Sequence, residues 1–288
     1  MKLENLVFDF DKFASEMANL KEKKHFDYLV TIVGEDFGGE EGLGCIYILE
    51  NTDTHERTSV KLLAKQVGES DFVIPTVSNI WKVADLLERE VFDFYGIKFL
   101  GHPDMRRLYL RNDFKGYPFR KNWQFDDSYS LEDDVEPDYT LLYKLNADGK
   151  LVSEQRKLFT DDEYVSNIGP QPPSTPGVLR LQTVVDGETV KRIYPHLGYI
   201  HRGIEKMCES YTYPQTLALT DRLNYLSAMM HRHALVGVVE EAMGVELTDR
   251  IKYVRTIMDE LQRIDSHLLY CGCCAQDLGA LTAFLYCM

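Results

Sequence analysis

Basic charge is scarce in this chain: 32 Lys and Arg stand against 46 Asp and Glu, a net charge of −14 over 288 residues. That balance excludes a nucleic-acid binder, whose phosphates demand a basic face. It also excludes docking on anionic lipid by charge alone. Long hydrophobic runs are lacking too. The best, His233–Val245, is interrupted by Glu240 and Glu241 and falls short of membrane-spanning length. The opening residues, MKLENLVFDFDKFASEM, lack the basic-then-apolar order of a signal peptide. Cysteine is sparse and uneven: of six, four lie in the last eighteen residues. Such clustering is no disulfide framework and points to a reducing cytosolic setting. No glycine-rich loop follows a strand, so no phosphate cradle for a nucleotide is built.

What is present supports a real core, with 44% apolar residues in a length suited to one large or two ordinary domains. Residues 1–20 read as an amphipathic helix. Strand patterns follow at Phe26–Val33, Leu43–Glu50, Thr58–Ala64 and Asp71–Ile74. A helix is predicted over Ile80–Tyr95, with Trp81, Ala84, Leu87 and Val91 on its apolar side. This order gives an α+β fold class. The basic, glycine- and proline-punctuated run from Gly101 to Trp123 is predicted to be a loop whose arginines serve an interface. Residues 124–167 carry twelve acidic against four basic side chains and read as an acidic linker, with edge strands at Asp138–Leu145 and Lys150–Phe159. Four prolines break the chain between 169 and 177. Asp186-Gly187 between two apolar-rich runs marks a hairpin. A long helix is predicted at 217–243, stopped by Gly244, and Thr248 caps another running through the region of Tyr270. The last residues, GALTAFLYCM, are apolar and uncapped, from which an incomplete second domain is expected.

The most chemistry-dense stretch is PHLGYIHRGIEKMCESYTYPQTLALTDRLNY, residues 195–225. Glycines at 198 and 203 flank a polar run, as where backbone approaches something closely. If 200–209 is helical, His201, Glu205 and Cys208 share one face. On spacing alone, an exposed helix laced with ion pairs is as good an account. A zinc set from His231, His233, His267, Cys271, Cys273 and Cys274 is disfavoured. The C-x-C-C spacing lacks the usual gap, and His231 and His233 point about 200° apart on a helix.

The run LEREVFDFYGIKFLGHPDMRRLYLRNDFKGYPFRK, with Glu88, Arg89, Asp93, His102, Asp104 and Arg106-Arg107, resembles the C-type peripheral-arm subunit of NADH–quinone oxidoreductase, respiratory complex I. The blocks GVLRL at 177–181, GYIHRGIEK at 198–206, DRLNY at 221–225, ELQRIDSHLL at 260–269 and DLGA at 277–280 resemble the start of the D-type subunit. That subunit is related in fold to the large subunit of nickel–iron hydrogenases. The resemblance implies a C-type α+β domain at 1–123, the acidic linker at 124–167, and from 168 to 288 the beginning of a mainly helical D-type domain with a small β entry. It implies a subunit of a proton-translocating enzyme complex that is inactive alone, on the cytoplasmic side of the bacterial inner membrane and reaching the membrane only through partner subunits. Neither NADH nor flavin is expected on this chain. Quinone is the implied substrate, and the neighbouring B-type subunit is implied to hold the terminal 4Fe–4S cluster.

Carried over by residue, the resemblance gives Tyr225 the role of quinone head-group donor. A placed O–H stabilises the charge that builds on a quinone oxygen and hands over a proton. It places Arg202 and His267 toward the partner's cluster, where a fixed positive charge and a proton acceptor favour the reduced state. From spacing alone Tyr225 is more simply a core tyrosine, and His267, on the stripe of Ile257, Leu261, Ile264 and Leu268, a packed core histidine. One departure stands out: Pro172 and Pro176 occupy positions where the family has histidines, and the second of these is a quinone ligand. Proline has no side-chain donor, so His201 or His196 must serve or the copy is an impaired scaffold. Hydrogenase chemistry is excluded, since Asp221-Arg222 is followed by LNYLSAMM, without the cysteine pair that holds nickel.

Overall fold

A computed structural model describes residues 5–39, 41–124, 137–160, 162–170 and 178–288. The fold is α+β, and the chain divides into two compact units: Met1–Ile168 with Arg180–Tyr199, and Gly169–Leu179 with Ile200–Met288.

The first unit is built on a sheet in the order β1-β4-β3-β2. Strands β2 (Tyr28–Gly38), β3 (Gly42–Glu50) and β4 (Arg57–Leu63) form an antiparallel meander. Alternation along β3 turns Cys45, Tyr47 and Leu49 fully inward, as the period of two requires. The expected helix over 1–20 is replaced by strand β1 (Asn5–Val7), parallel to β4, and helix α1 (Phe13–Lys24). Helix α1 buries Phe13, Met17 and Leu20, with Phe13 and Tyr47 rings 5.1 Å apart. Its end is set by His25 in the left-handed conformation, whose N–H returns to the Leu20 carbonyl.

A second sheet joins β5 (Lys65–Val67), β6 (Asp71–Pro75) and β7 (Ile97–Leu100). Strands β6 and β7 are parallel, so the chain crosses over between them through helix α2 (Ala84–Tyr95). Gly96 ends α2 at φ +72°, and a Cβ there would collide with the Tyr117 ring. The acidic segment contributes a hairpin, β8 (Tyr139–Leu145) and β9 (Leu151–Lys157), and strand β10 (Tyr164–Ile168). The hairpin is docked: Met105 N–H donates to the Thr140 hydroxyl at 2.9 Å and Gly101 N–H to the Tyr143 carbonyl at 3.0 Å. Strand β10 pairs with the expected Asp-Gly hairpin, β11 (Arg180–Asp186) and β12 (Thr189–His196).

The second unit is helical: α3 (Ile204–Cys208), α4 (Tyr213–Thr220), α5 (Ala228–Met243), α6 (Asp249–Asp277) and α7 (Leu281–Cys287). A capping box of Thr212 and Gln215 starts α4. Gly244 ends α5 at φ +67° as its position suggested. The single helix expected at 217–243 is broken. Asn224 is extended, its side chain accepts from Leu226 N–H at 3.0 Å, and residues 225–227 form a 3-10 turn. Asparagine competes with a helix through such local bonds.

Candidate functional site

Two places concentrate chemistry, one in each unit. In the first, helix α2 buries charge as well as apolar surface: Glu88, Arg89 and Asp93 are almost wholly inaccessible. Asp93 Oδ2 accepts the consecutive N–H groups of Leu108, Tyr109 and Leu110 at 3.0, 2.7 and 2.9 Å. Its Oδ1 meets Arg107 Nη1 at 2.8 Å, while Arg107 Nη2 reaches the Phe114 and Gly116 carbonyls. Arg106 forms a two-pronged pair with Asp104 at 2.9 and 2.8 Å. Burial pushes the Asp104 carboxyl up, but the Arg106 bonds and the Arg89 charge outweigh it and hold it at about 2. The expectation that Arg106 and Arg107 form an external interface is therefore corrected. Arg107 ties the loop to α2 through Asp93 and Arg106 braces the loop against its own Asp104, because a buried guanidinium needs a buried carboxylate.

Beside them Glu88 accepts from Val77 N–H at 2.7 Å and from the Thr76 hydroxyl, with His102 Nε2 at 3.8 Å. Asp104 N–H donates to His102 Nδ1, so the ring proton sits on Nε2, toward the Asp85 carbonyl at 3.0 Å. Burial raises the Glu88 carboxyl to about 7, against the neighbouring His102 ring and the two hydrogen bonds that favour ionisation. A carboxyl held above its unfolded value stabilises the fold below the ordinary carboxylate range. That contribution is lost as pH rises through 7. Glu88→Gln should thus shift stability toward the variant by about 2 kcal/mol between pH 5 and pH 8, some ~4–8 °C in Tm. Thermal melts at the two pH values measure this, and parallel melts would overturn the assignment.

In the second unit the structure places the sequence-derived residues as follows. Tyr225 opens the 3-10 turn rather than lying on a long helix; it is 63% exposed, and its hydroxyl makes no hydrogen bond among the described residues. Gln262 of α6 donates to the Leu226 carbonyl at 3.2 Å, fixing the turn against α6 five residues before His267. His267 is exposed, as are its stripe neighbours Ile257 and Leu261 at 57% and 55%, so the packed-core alternative for His267 is corrected. His201 and Arg202 precede α3 because Gly203 takes φ +62°, which starts the helix later than expected. His201 Nδ1 accepts from Gly203 N–H at 3.2 Å and its Nε2 lies 3.7 Å from Glu205. Arg202 is exposed and forms no ion pair among the described residues; Glu209 pairs with Lys206 at 2.7 Å instead. Pro172 and Pro176 lie outside the described residues. The close approach expected near Gly198 is found: a Cβ there would meet the Tyr109 carbonyl oxygen.

Helices α5 and α6 are held by polar contacts. Arg255 and Glu240 pair at 2.7 Å through both oxygens, and His233 Nδ1 meets Asp259 at 2.6 Å. Arg232 reaches back to Asp221 of the DRLNY motif. Among the described residues no group of three or more His, Cys, Asp or Glu is arranged to hold a metal ion. Nor is any described helix long and apolar enough to cross a membrane.

Sequence reasoning missed the Glu88 and Asp93 clusters. The apolar pattern of α2 gives Trp81, Ala84, Leu87 and Val91 one side and says nothing of where its carboxyls lie. The signal was the HPDMRR run, whose two arginines need partners within reach.

The first unit is thus closed by internal ion pairs, while the helical second unit leaves an apolar stripe and a phenol exposed. Residues 6–129 match a family model described as respiratory-chain NADH dehydrogenase, 30 Kd subunit. The chain is 51% identical over 286 residues to the C/D subunit of NADH-quinone oxidoreductase from Phocaeicola vulgatus, covering 98% of this chain and 54% of that protein. It is 52% identical over 282 residues to the C/D subunit from Bacteroides fragilis (94% and 53%). It is 36% identical over 282 residues to the C/D 2 subunit from Aquifex aeolicus (93% and 47%). The chain is thus similar to these C/D subunits over nearly all of its own length, and residues 6–129 are similar to the 30 Kd subunit family. It spans about half the length of the curated relatives it matches.

Proposed function

We propose that this chain works as part of a C/D subunit of an NADH–quinone oxidoreductase coupled to proton translocation, with the other subunits of that complex as partners. The observation that carries this is identity over nearly the whole chain to proteins of that name. The C-type part closes near 123, the acidic segment covers 124–167 and the D-type part starts near 168. Tyr225 donates to the quinone oxygen; Arg202 and His267 face a 4Fe–4S cluster held by the B-type neighbour, and His201 stands in for the missing loop histidine at the quinone. The chain itself binds no cofactor, and it sits on the cytoplasmic side of the membrane through its partners. The open stripe on α6 supports assembly, since apolar surface of that kind is covered in a working complex.

A strain lacking the subunit tests the proposal. The full-length chain should restore NADH-driven quinone reduction to its membranes; assembly without restored turnover would leave only a scaffold. Pro172 and Pro176 favour that second role. Pro176→His in the full-length chain separates the two: a gain in quinone reduction means that the site is used, and an unchanged rate supports the scaffold.

A further inference from the structure

In the first unit a cavity of about 560 Å³ opens between the start of α2, the end of β9 and the end of β12. Five cations line it, Lys82, Arg89, Arg156, Lys157 and Arg192, against Asp85 and Asp104, in a chain whose net charge is −14. Two of the arginines are engaged: Arg89 lies 3.6 Å from Asp104 and Arg192 pairs with Glu163 at 2.6 Å. Lys82 and Arg156 are exposed and make no side-chain bond among the described residues. The walls are apolar at Val83, Leu86 and Ile193, all exposed.

We propose that this groove docks an extended acidic segment of a neighbouring protein subunit. Among the described residues strand β9 pairs only with β8, and β12 only with β11, so each is the outer strand of its sheet. Outer strands leave backbone donors and acceptors open, and an added strand satisfies them. Pro195 at the end of β12 has no N–H and limits how far such pairing runs. A strand entering here places alternate side chains on the apolar wall and presents carboxylates to Lys82 and Arg156. The inference rests on the proposed assembly, because the occupant is another subunit of the same complex.

The test uses the assembled complex with the full-length chain carrying a photo-reactive residue at Ile193. Mass spectrometry of the cross-linked peptide should identify an Asp/Glu-rich segment of another subunit. The double variant Lys82→Glu/Arg156→Glu should lower the yield about tenfold, and raised salt should lower it in the parent. A cross-link to a second copy of this chain, or one indifferent to charge reversal, overturns the groove assignment. So does a complex that turns over normally and gives no cross-link. A parent chain that joins no complex overturns instead the functional reading beneath it.

Discussion

Asp93→Ala should lower the stability of the first unit by about 4 kcal/mol, about 10 °C in Tm, the largest loss expected from any single substitution outside the apolar core. The loss comes from stranded partners. The carboxylate satisfies three consecutive backbone N–H groups and the Arg107 guanidinium, and its side chain has no exposure. Removing it takes the carboxylate from Arg107, which keeps only backbone carbonyl acceptors, and leaves one buried and two part-buried N–H donors unmet, each costing about 1–3 kcal/mol before relaxation. Some of that loss is recovered, because the loop is able to open and admit water. A buried pair is weak grounds for stability when an apolar pair could replace both members, but deleting one member is a different operation. Asp93→Asn keeps an oxygen for the N–H groups but turns an amide toward Arg107, so it should fall between the parent and Asp93→Ala. Calorimetry of the full chain decides; a loss under about 1 kcal/mol for Asp93→Ala would show that the loop is held by its apolar contacts alone.

This cluster also marks where the sequence was silent. Strands β3 and β4 were legible because their apolar alternation is local, and the β11–β12 turn because Asp-Gly tolerates positive φ. Strand β7 was not, since only four residues carry it and its partner β6 lies beyond a whole helix. The displaced first helix has the same cause. Residues 5–7 gain pairing with Ser59–Lys61, and that long-range bonding outweighs the helical propensity of a short segment. In the second unit the break at Asn224 was readable in principle, since asparagine in a helix interior competes with it. The bond from Gln262 to Leu226 was not, because 36 residues separate its ends and any polar side chain on that face of α6 would look alike in sequence. The roles given to Arg202 and His267 depend on chemistry held by another protein, which no pattern within this chain encodes. Their exposure fits residues whose partners lie elsewhere, and it equally fits residues with none, so activity must separate the two.

Tyr225→Phe tests the same proposed site through its phenol. Under the proposed function it should slow quinone reduction by the assembled complex about 10²–10³-fold, the usual consequence of deleting one donor from a developing oxyanion. Electron flow from NADH to a water-soluble artificial acceptor should be unchanged, because that path ends before the quinone. The turn itself gives the substitution no reason to disturb the fold. It is secured by the Asn224 side chain on Leu226 N–H and by Gln262 on the Leu226 carbonyl, and neither bond involves the phenol. Stability should therefore move by less than about 0.5 kcal/mol, as for an exposed surface change. That pairing of a large kinetic loss with a flat melting curve is what a structural role cannot produce. A packed tyrosine would lose stability first and activity only in proportion. A complex bearing Tyr225→Phe that reduces quinone at the parent rate would remove the phenol from the chemistry, however open its position.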